Sequence, residues 1–177
     1  LNLSELIRTR RTVGGFSAQP VDAGLITEML ETAIYAPNHK MTQPWRFLFL
    51  QGELRHQYAT LRSAMGAEKG KSAEKEYQKF INVPLFLFVI MKNSEHDYTR
   101  LEDYAATSAL IQNLLLLTWE QGIGSAWKSY PDDPRLNNLI GLADDETVVG
   151  VIHLGYPLGE NKTPTRQSAK AKVTYLS

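Results

Sequence analysis

Three arginines fall within four positions near the start of the chain, in the segment RTRRT at positions 8–12. Thr12 closes the segment, and Gly14 and Gly15 follow it. Guanidinium groups donate forked pairs of hydrogen bonds that match the oxygens of a phosphate group. Cations at the end of a helix also complement the negative end of the helix dipole. The segment therefore predicts either a phosphate site or a basic helix end, and its spacing leaves both interpretations open.

A second polar segment, APNHKMTQPWRFLFL at positions 36–50, joins a helix to an apolar strand. Between its two prolines it presents Asn38, His39 and Lys40, which the packing of a core does not require. Backbone and side-chain donors in such a turn could surround the edge of a planar, electron-poor ligand. The alternative is an ordinary surface loop framed by prolines, with His39 in water.

A third segment, QGIGSAWKS at positions 121–129, contains two glycines at the end of a long helical pattern. These glycines have neither the preceding strand nor the spacing of a dinucleotide-binding fingerprint. They predict a tight turn that places Trp127, Lys128 and Ser129 near a ligand. The other interpretation is that Trp127 belongs to the core.

The sequence offers no protein-based catalytic centre of a familiar kind. It contains no cysteine, which rules out thiol catalysis, a disulfide framework and a cysteine-ligated metal. Its four histidines are scattered without metal-ligand spacing. Neither a GxSxG nucleophile motif nor a Walker loop is present. His153 lies in an apolar strand, which predicts a core histidine whose hydrogen bonds are satisfied.

The composition is that of a globular protein. With 177 residues, 43% hydrophobic and 21% charged, the chain is expected to form one domain over positions 1–177. Its formal net charge of zero disfavours a nucleic-acid partner. The longest apolar run is too short to span a membrane. The lack of cysteine and of a secretion signal at the first residues leads us to expect a cytoplasmic protein.

Hydrophobic periodicity and breaker residues predict interspersed helices and strands, with two helical pieces rather than one in two of the connections between strands. The predicted helices cover 5–11, capped by Ser4, 23–35, capped by Asp22, 53–65, 73–80, 101–121 and the short DPRLNNLIGL at 133–142. The predicted strands cover 46–52, 85–91, 125–130, 146–156 and the short KVTYL at the end of the chain. This order indicates an α+β layered domain rather than a regular doubly wound sheet.

Several of these elements carry further expectations. The strand at 85–91 is apolar on both faces, which is typical of a central strand. The helix at 101–121 is apolar nearly all round, which indicates burial in the fold or in a subunit interface. A polar surface loop is expected at 66–75. The final strand follows a long loop and could dock on a neighbouring subunit.

The order of the three polar segments, over nearly the whole chain, resembles the nitroreductase family of flavoproteins. The turn is similar to the APxHKxxQPWRF turn of its short-chain NAD(P)H nitroreductases. The resemblance implies a homodimer with a three-layer α+β fold, in which helices flank a mainly antiparallel sheet and the tail strand joins the partner's sheet. It also implies one FMN per subunit at the interface. Hydride would pass from NAD(P)H through the flavin to a nitroaromatic, a quinone or a similar acceptor, in a ping-pong reaction.

The resemblance also implies which residues contact the cofactors. One set binds FMN and includes two residues contributed by the partner subunit, Tyr35 and His39. The remaining FMN ligands are Arg10, Arg11, Thr12, Trp127, Lys128 and Ser129, with Arg166 in the tail at the phosphate. The segment Trp119, Glu120, Gln121 and Gly122 would meet NAD(P)H. Many larger members have serines and an asparagine where this chain has Asn38, His39 and Met41.

Such chemistry needs no catalytic side chain, because the flavin carries the redox step and the protein positions it. A cation at the pyrimidine edge of the ring, from Arg10 or Arg11, would raise the reduction potential of the flavin. Two other functions are considered: a flavin-binding or flavin-scavenging protein of the same fold without catalysis, and an interaction module that associates through the helix at 101–121.

Overall fold

The structure, a computed structural model, describes residues 2–159 and 164–176. Helices and strands alternate along these residues in the order α1, α2, β1, α3, α4, β2, α5, β3, α6, β4. The helices are α1 (Leu3–Thr9), α2 (Ala23–Ala33), α3 (Gly52–Ala67), α4 (Ala73–Ile81), α5 (Asp97–Glu120) and α6 (Pro134–Ile140). The strands are β1 (Trp45–Leu50), β2 (Leu85–Lys92), β3 (Gly124–Lys128) and β4 (Glu146–Gly155).

The four strands form one sheet in the order β1-β2-β4-β3, and every neighbouring pair is antiparallel. β2 lies inside the sheet, and its residues Leu85 to Met91 are all buried. The prediction of a central strand at 85–91 is therefore confirmed. β3 is an edge strand, and a single parallel bridge from Thr12 to Ser125 lies beside it.

Helices cover both faces of the sheet, which gives the three layers that the resemblance implied. Alternate residues of β2 face opposite sides: Leu87 and Val89 join one core cluster, while Phe86 and Phe88 join the other. α2 and α5 complete the first cluster, and α3, α4 and α6 complete the second. This two-sided burial explains why β2 is apolar without alternation.

The first helix differs from its predicted form at both ends. Its N-cap is Asn2 rather than Ser4: the Asn2 side chain accepts from the Glu5 amide at 3.0 Å, and the Glu5 carboxylate accepts from the Asn2 amide at 2.9 Å. This reciprocal capping box satisfies two backbone amides. The helix then ends at Thr9, so Arg10 and Arg11 lie outside it. The predicted cap at Asp22 is confirmed.

The predicted polar loop is shorter than expected. α3 continues to Ala67 and α4 begins at Ala73, so only 68–72 lies between them. Gly66, which signals a loop in the sequence, instead lets the two helices pack closely. A Cβ at Gly66 would lie 2.7 Å from Glu76 Cγ of α4.

The tail at 164–176 contains a short 3-10 helix, Ala169–Lys172, and no strand. The strand predicted from KVTYL is therefore absent in the single chain, where Val173, Tyr175 and Leu176 are exposed. Its addition to a partner's sheet stays a prediction. Within the described residues, no helix combines the length and the apolar character needed to cross a bilayer.

Candidate functional site

The guanidinium of Arg11 completes the C-terminal end of α1. Its Nη1 donates to the carbonyl oxygens of Arg8 at 2.6 Å and of Arg10 at 2.8 Å. The last carbonyls of a helix have no partner within the helix, and a basic side chain nearby satisfies them. The helix-end interpretation of the segment therefore accounts for Arg11.

Arg10 is in a different situation. It is partly buried, and burial lowers the pKa of its guanidinium, with smaller contributions from the like charges of Arg11 and Arg166. The tail thus brings Arg166 close to Arg10, although the two are far apart in sequence. Within residues 2–159 and 164–176, none of these three arginines forms an ion pair. Clustered cations without carboxylates favour the binding of an anion.

A cavity of about 270 Å³ is lined by the segment that follows Arg11 in the chain, and none of the three arginines is among its lining residues. The segment that follows Arg11 forms one wall, where the Val13 amide donates to the Ser125 carbonyl at 2.9 Å. Gly14 and Gly15 leave open space where a Cβ would stand. The lining residues are Val13, Gly14, Gly15, Phe16, Lys79, Asn82, Val83, Lys128, His153 and Leu158. The cavity therefore combines a flat, glycine-lined wall with two lysines.

Lys79 and Asn82 belong to this cavity although the sequence gives no signal for them. They lie at the C-terminal end of α4, where a lysine and an asparagine are common on purely structural grounds. Lys79 is also 3.8 Å from the carboxylate of Glu76. Only the packing of α4 beside the edge of the sheet places these residues at the cavity.

His153 is buried in the second core cluster, 6% exposed, and lines the same cavity. Its ring packs edge-on against Phe86 at 4.9 Å and Phe80 at 6.2 Å between centroids. Within the described residues Nε2 has no hydrogen-bond partner, so the prediction of a fully satisfied core histidine is wrong. Burial, and to a smaller extent the positive charges of Lys128, Arg62 and Lys79, lower the pKa of His153 to about 3.

β3 carries two of the predicted site residues on opposite faces. Lys128 lines the cavity beside His153. Trp127, which pairs with Ile152 of the first core cluster, is 36% exposed, so it is only partly a core residue. Its indole Nε1 donates to the Val149 carbonyl at 3.3 Å. Ser129 follows the strand and is exposed. The structure therefore does not bring these three side chains to one point.

The segment at the end of α5 lies beside the end of α1. Trp119 Nε1 donates to Thr9 Oγ1 at 3.2 Å, one residue before Arg10. Glu120, Gln121 and Gly122 are exposed, and Gly122 adopts a positive φ of 73° that ends the helix. The residues that the resemblance assigns to NAD(P)H are thus at the same end of the molecule as the arginine cluster.

The turn at 36–44 lies near the other end of α5. His39 is exposed, and Tyr35 is 88% exposed. The Thr42 hydroxyl donates to Asp103 Oδ1 at 2.5 Å, which fixes the turn to the N-terminal half of α5. Asp103 and Trp119 are 16 residues apart in α5, roughly 24 Å at 1.5 Å per residue. One chain therefore does not bring the turn and the arginine cluster together.

Comparison with known proteins gives a consistent result. The model of the nitroreductase family matches residues 7–156. A Bacillus subtilis (strain 168) protein named "Putative NAD(P)H nitroreductase YfhC" is 42% identical over 163 residues, which cover 88% of this chain and 84% of that protein. The crystal structure of a nitroreductase-like family protein from Bacillus cereus has a TM-score of 0.90 at 32% identity, covering 99% of this chain and 96% of that one.

The FMN and NADPH-dependent nitroreductase NfnB from Sphigopyxis sp. strain HMH is similar in fold alone. Its TM-score is 0.79 at 19% identity, and the match covers 100% of both chains. The match of the family model and the identity to the Bacillus subtilis protein together show that this chain belongs to the nitroreductase family.

Proposed function

We propose that this protein is an FMN-dependent oxidoreductase that transfers hydride from NAD(P)H to a nitroaromatic, quinone or similar acceptor. The observation that carries the proposal is that guanidinium groups without carboxylate partners among the described residues directly precede a segment that lines a cavity with two lysines. A phosphorylated, flat, electron-accepting ligand matches both parts. Membership of the nitroreductase family and the names of its relatives support the choice of FMN.

The residues of the cluster fit the phosphate of FMN. Arg10 is partly buried and has like charges beside it, so a dianionic group would relieve their repulsion. Arg166 and the hydroxyl of Thr12 would complete the binding of the phosphate. Arg11 would act mainly by holding the end of α1, because its Nη1 donates to two carbonyl oxygens.

The cavity fits the ring, since Gly14 and Gly15 leave room for a flat group to approach the backbone. When FMN is bound its ring supplies the redox chemistry: NAD(P)H donates a hydride and leaves, and the acceptor then takes the electrons. Lys79 and Lys128 in the cavity wall would stabilise negative charge on the reduced ring. These two lysines would therefore supply the cation that the sequence assigned to Arg10 or Arg11.

A homodimer completes the proposed site. Along α5 the anchor of the turn at Asp103 is roughly 24 Å from Trp119 beside the arginine cluster, so His39 would act on the flavin of the partner. The resemblance assigns Tyr35 to the same flavin. Large apolar side chains near both ends of α5 are exposed in the single chain, which favours their burial between two subunits. They are Leu3, Ile7, Tyr35, Met41, Tyr98, Leu101 and Tyr104.

The first experiment measures FMN binding by fluorescence titration for wild type, Arg10→Gln and Arg8→Gln. Loss of a charge-assisted contact costs roughly 1.5–3 kcal/mol, so we expect Arg10→Gln to weaken FMN affinity by about 10- to 150-fold. Arg8→Gln is the matched control, because Arg8 is exposed at the end of α1, whereas Arg10 is partly buried. Equal affinity in all three proteins would refute the role of Arg10.

The second experiment tests whether the site is shared between subunits. Arg10→Gln and His39→Ala are each expected to weaken FMN binding. When the two proteins are mixed in equal amounts and exchange subunits, about half of the dimers contain one chain of each kind. In such a dimer one site carries both changes and the other carries neither, so about one site in four regains wild-type affinity. If each site is built from one chain, mixing restores no tight site.

Activity is measured with the same FMN-loaded protein. Oxidation of NADH or NADPH that depends on an added nitroaromatic or quinone is the expected result. A protein that binds FMN tightly and oxidises neither nucleotide with any acceptor would instead be a flavin-binding protein without catalysis. A colourless protein that takes up no FMN would refute both.

A further inference from the structure

The turn at 38–43 is held in a conformation that its residues rarely adopt. Lys40 and Met41 each have a φ of 53°, and Gln43 has a φ of 44°. None of the three is glycine, and a left-handed conformation costs a non-glycine residue about 1–3 kcal/mol. Such a run of residues persists only where surrounding contacts stabilise it.

Two side chains close the turn on itself. Asn38 Oδ1 accepts from the Gln43 amide at 2.7 Å, and Asn38 Nδ2 donates to Thr42 Oγ1 at 2.9 Å. The Met41 amide is 3.3 Å from the Asn38 carbonyl and the Thr42 amide is 3.5 Å from the His39 carbonyl, so the backbone itself contributes only two long, weak bonds. The conformation of the turn therefore depends on the side chains of Asn38 and Thr42.

A third side chain anchors the turn to the core of the protein. The Thr42 hydroxyl donates to Asp103 Oδ1 at 2.5 Å, and Asp103 is 4% exposed in α5. A carboxylate can only accept, so the single proton of the hydroxyl is committed to Asp103 and its lone pair accepts from Asn38. The three side chains form one directed chain of hydrogen bonds. A buried carboxylate requires such donors, which makes the contact costly to lose.

The anchored turn presents its other side to solvent. His39 lines a surface concavity of about 530 Å³ with Pro37 and Asn38 on one side and residues of α5 on the other. The α5 residues are Glu102, Ala105, Ala106 and Ala109, three of which carry only a methyl group. The contact between Thr42 and the buried Asp103 therefore sets the position of His39 relative to α5.

We propose that Asp103 is a positioning residue for the flavin site: acting through Thr42 and Asn38, it holds His39 and Lys40 where they meet the flavin of the partner subunit. This role rests on the proposed function, whereas the effect of Asp103 on the conformation of the turn does not. The sequence gives no sign of it, because Thr42 and Asp103 are 61 positions apart.

The test compares Thr42→Val with Thr42→Ser in the full-length protein. Valine keeps the shape of threonine and removes the hydroxyl, whereas serine keeps the hydroxyl. We expect Thr42→Val to shift the amide resonances of Lys40 and Met41, to change the visible spectrum of bound FMN, and to weaken FMN affinity roughly tenfold. Thr42→Ser should retain wild-type values in all three measurements.

Thr27→Val is the matched control. Thr27 is exposed in α2, and its hydroxyl donates only to the carbonyl of Ala23 in the same helix. Asp103→Asn tests the acceptor, because the amide keeps an oxygen for the Thr42 hydroxyl while it removes the charge. We expect its FMN affinity to lie between those of Thr42→Val and wild type.

The possible results separate the two proposals. If Thr42→Val lowers only the melting temperature, and leaves the turn resonances, the flavin spectrum and the affinity unchanged, Asp103 is merely structural and the inference is wrong. If wild type binds no FMN, the proposed function fails and the role toward flavin fails with it. The resonances of Lys40 and Met41 in Thr42→Val would then still decide whether Asp103 holds the turn.

Discussion

His153 should make the protein less stable as the pH falls below neutrality. The folded state holds it neutral, because burial and three nearby cations lower its pKa from 6.5 to about 3. The unfolded chain exposes it to water, where the ordinary pKa applies. Between these two values the unfolded state binds a proton that the folded state does not. Stability therefore falls as the pH decreases from about 6.5 towards 3.

The size of the effect follows from the difference between the two pKa values. Each pH unit below the unfolded pKa costs about 1.4 kcal/mol until the folded pKa is reached. At about pH 5 the His153 contribution is a loss of about 2 kcal/mol relative to pH 7. The side chain is 6% exposed, so solvent screening reduces this figure little.

The His153→Phe variant isolates this contribution. Phenylalanine keeps an aromatic ring against Phe80 and Phe86, and it removes a ring nitrogen that has no hydrogen-bond partner in the described residues. Urea unfolding at fixed protein concentration, near pH 7 and near pH 5, gives the free energy of unfolding at each pH. The loss between the two pH values should be about 2 kcal/mol smaller in His153→Phe than in wild type.

The surface variant His56→Phe serves as the control, because it keeps His153 and should keep the full loss. His56 is exposed and lies 3.1 Å from the Tyr77 hydroxyl. If wild type and His153→Phe lose the same free energy of unfolding between the two pH values, His153 is not held neutral in the folded protein. The explanation from burial would then be refuted.

Two further substitutions test the edge of the sheet. Gly150→Ala should displace the indole of Trp127, because the new Cβ would overlap Trp127 Nε1. We expect the free energy of unfolding to fall by roughly 1–3 kcal/mol and the tryptophan fluorescence to change. Ser125→Ala should leave unfolding free energy equal or slightly higher, since Ser125 Oγ is buried without a partner among residues 2–159 and 164–176. A loss above about 1 kcal/mol in Ser125→Ala would reveal a hydrogen bond that the single chain lacks.

The sequence predicts the layers of the fold well because their signals are local or strongly periodic. The continuous apolar run of β2 is typical of a strand covered on both faces, and the cap at Asp22 marks the start of α2. Such signals depend on residues a few positions apart. They do not depend on which elements meet in space.

The errors have the opposite character, because they depend on contacts between distant residues. Gly66 has the sequence signature of a loop, yet it lies inside α3 where Glu76 packs against it. Arg11 is assigned to FMN by the resemblance, whereas the structure shows its Nη1 donating to carbonyls at the end of α1, so a role toward FMN stays a prediction. Lys79, which lines the cavity, carries no signal at all. The sequence therefore indicates which segments form the site, whereas only the fold shows which side chains face it.

α5 determines how the two halves of the proposed site relate to each other. One half, the end of α1 with the arginine cluster, is held to the C-terminal part of α5 by the hydrogen bond from Trp119 to Thr9. The other half, the turn at 36–44, is held to the N-terminal part of α5 by the hydrogen bond from Thr42 to Asp103. The helix is rigid, so these halves stay roughly 24 Å apart within a chain. In the proposed homodimer a flavin held by both halves bridges two chains. Its binding and the association of the chains are then linked, and each strengthens the other by the same free energy.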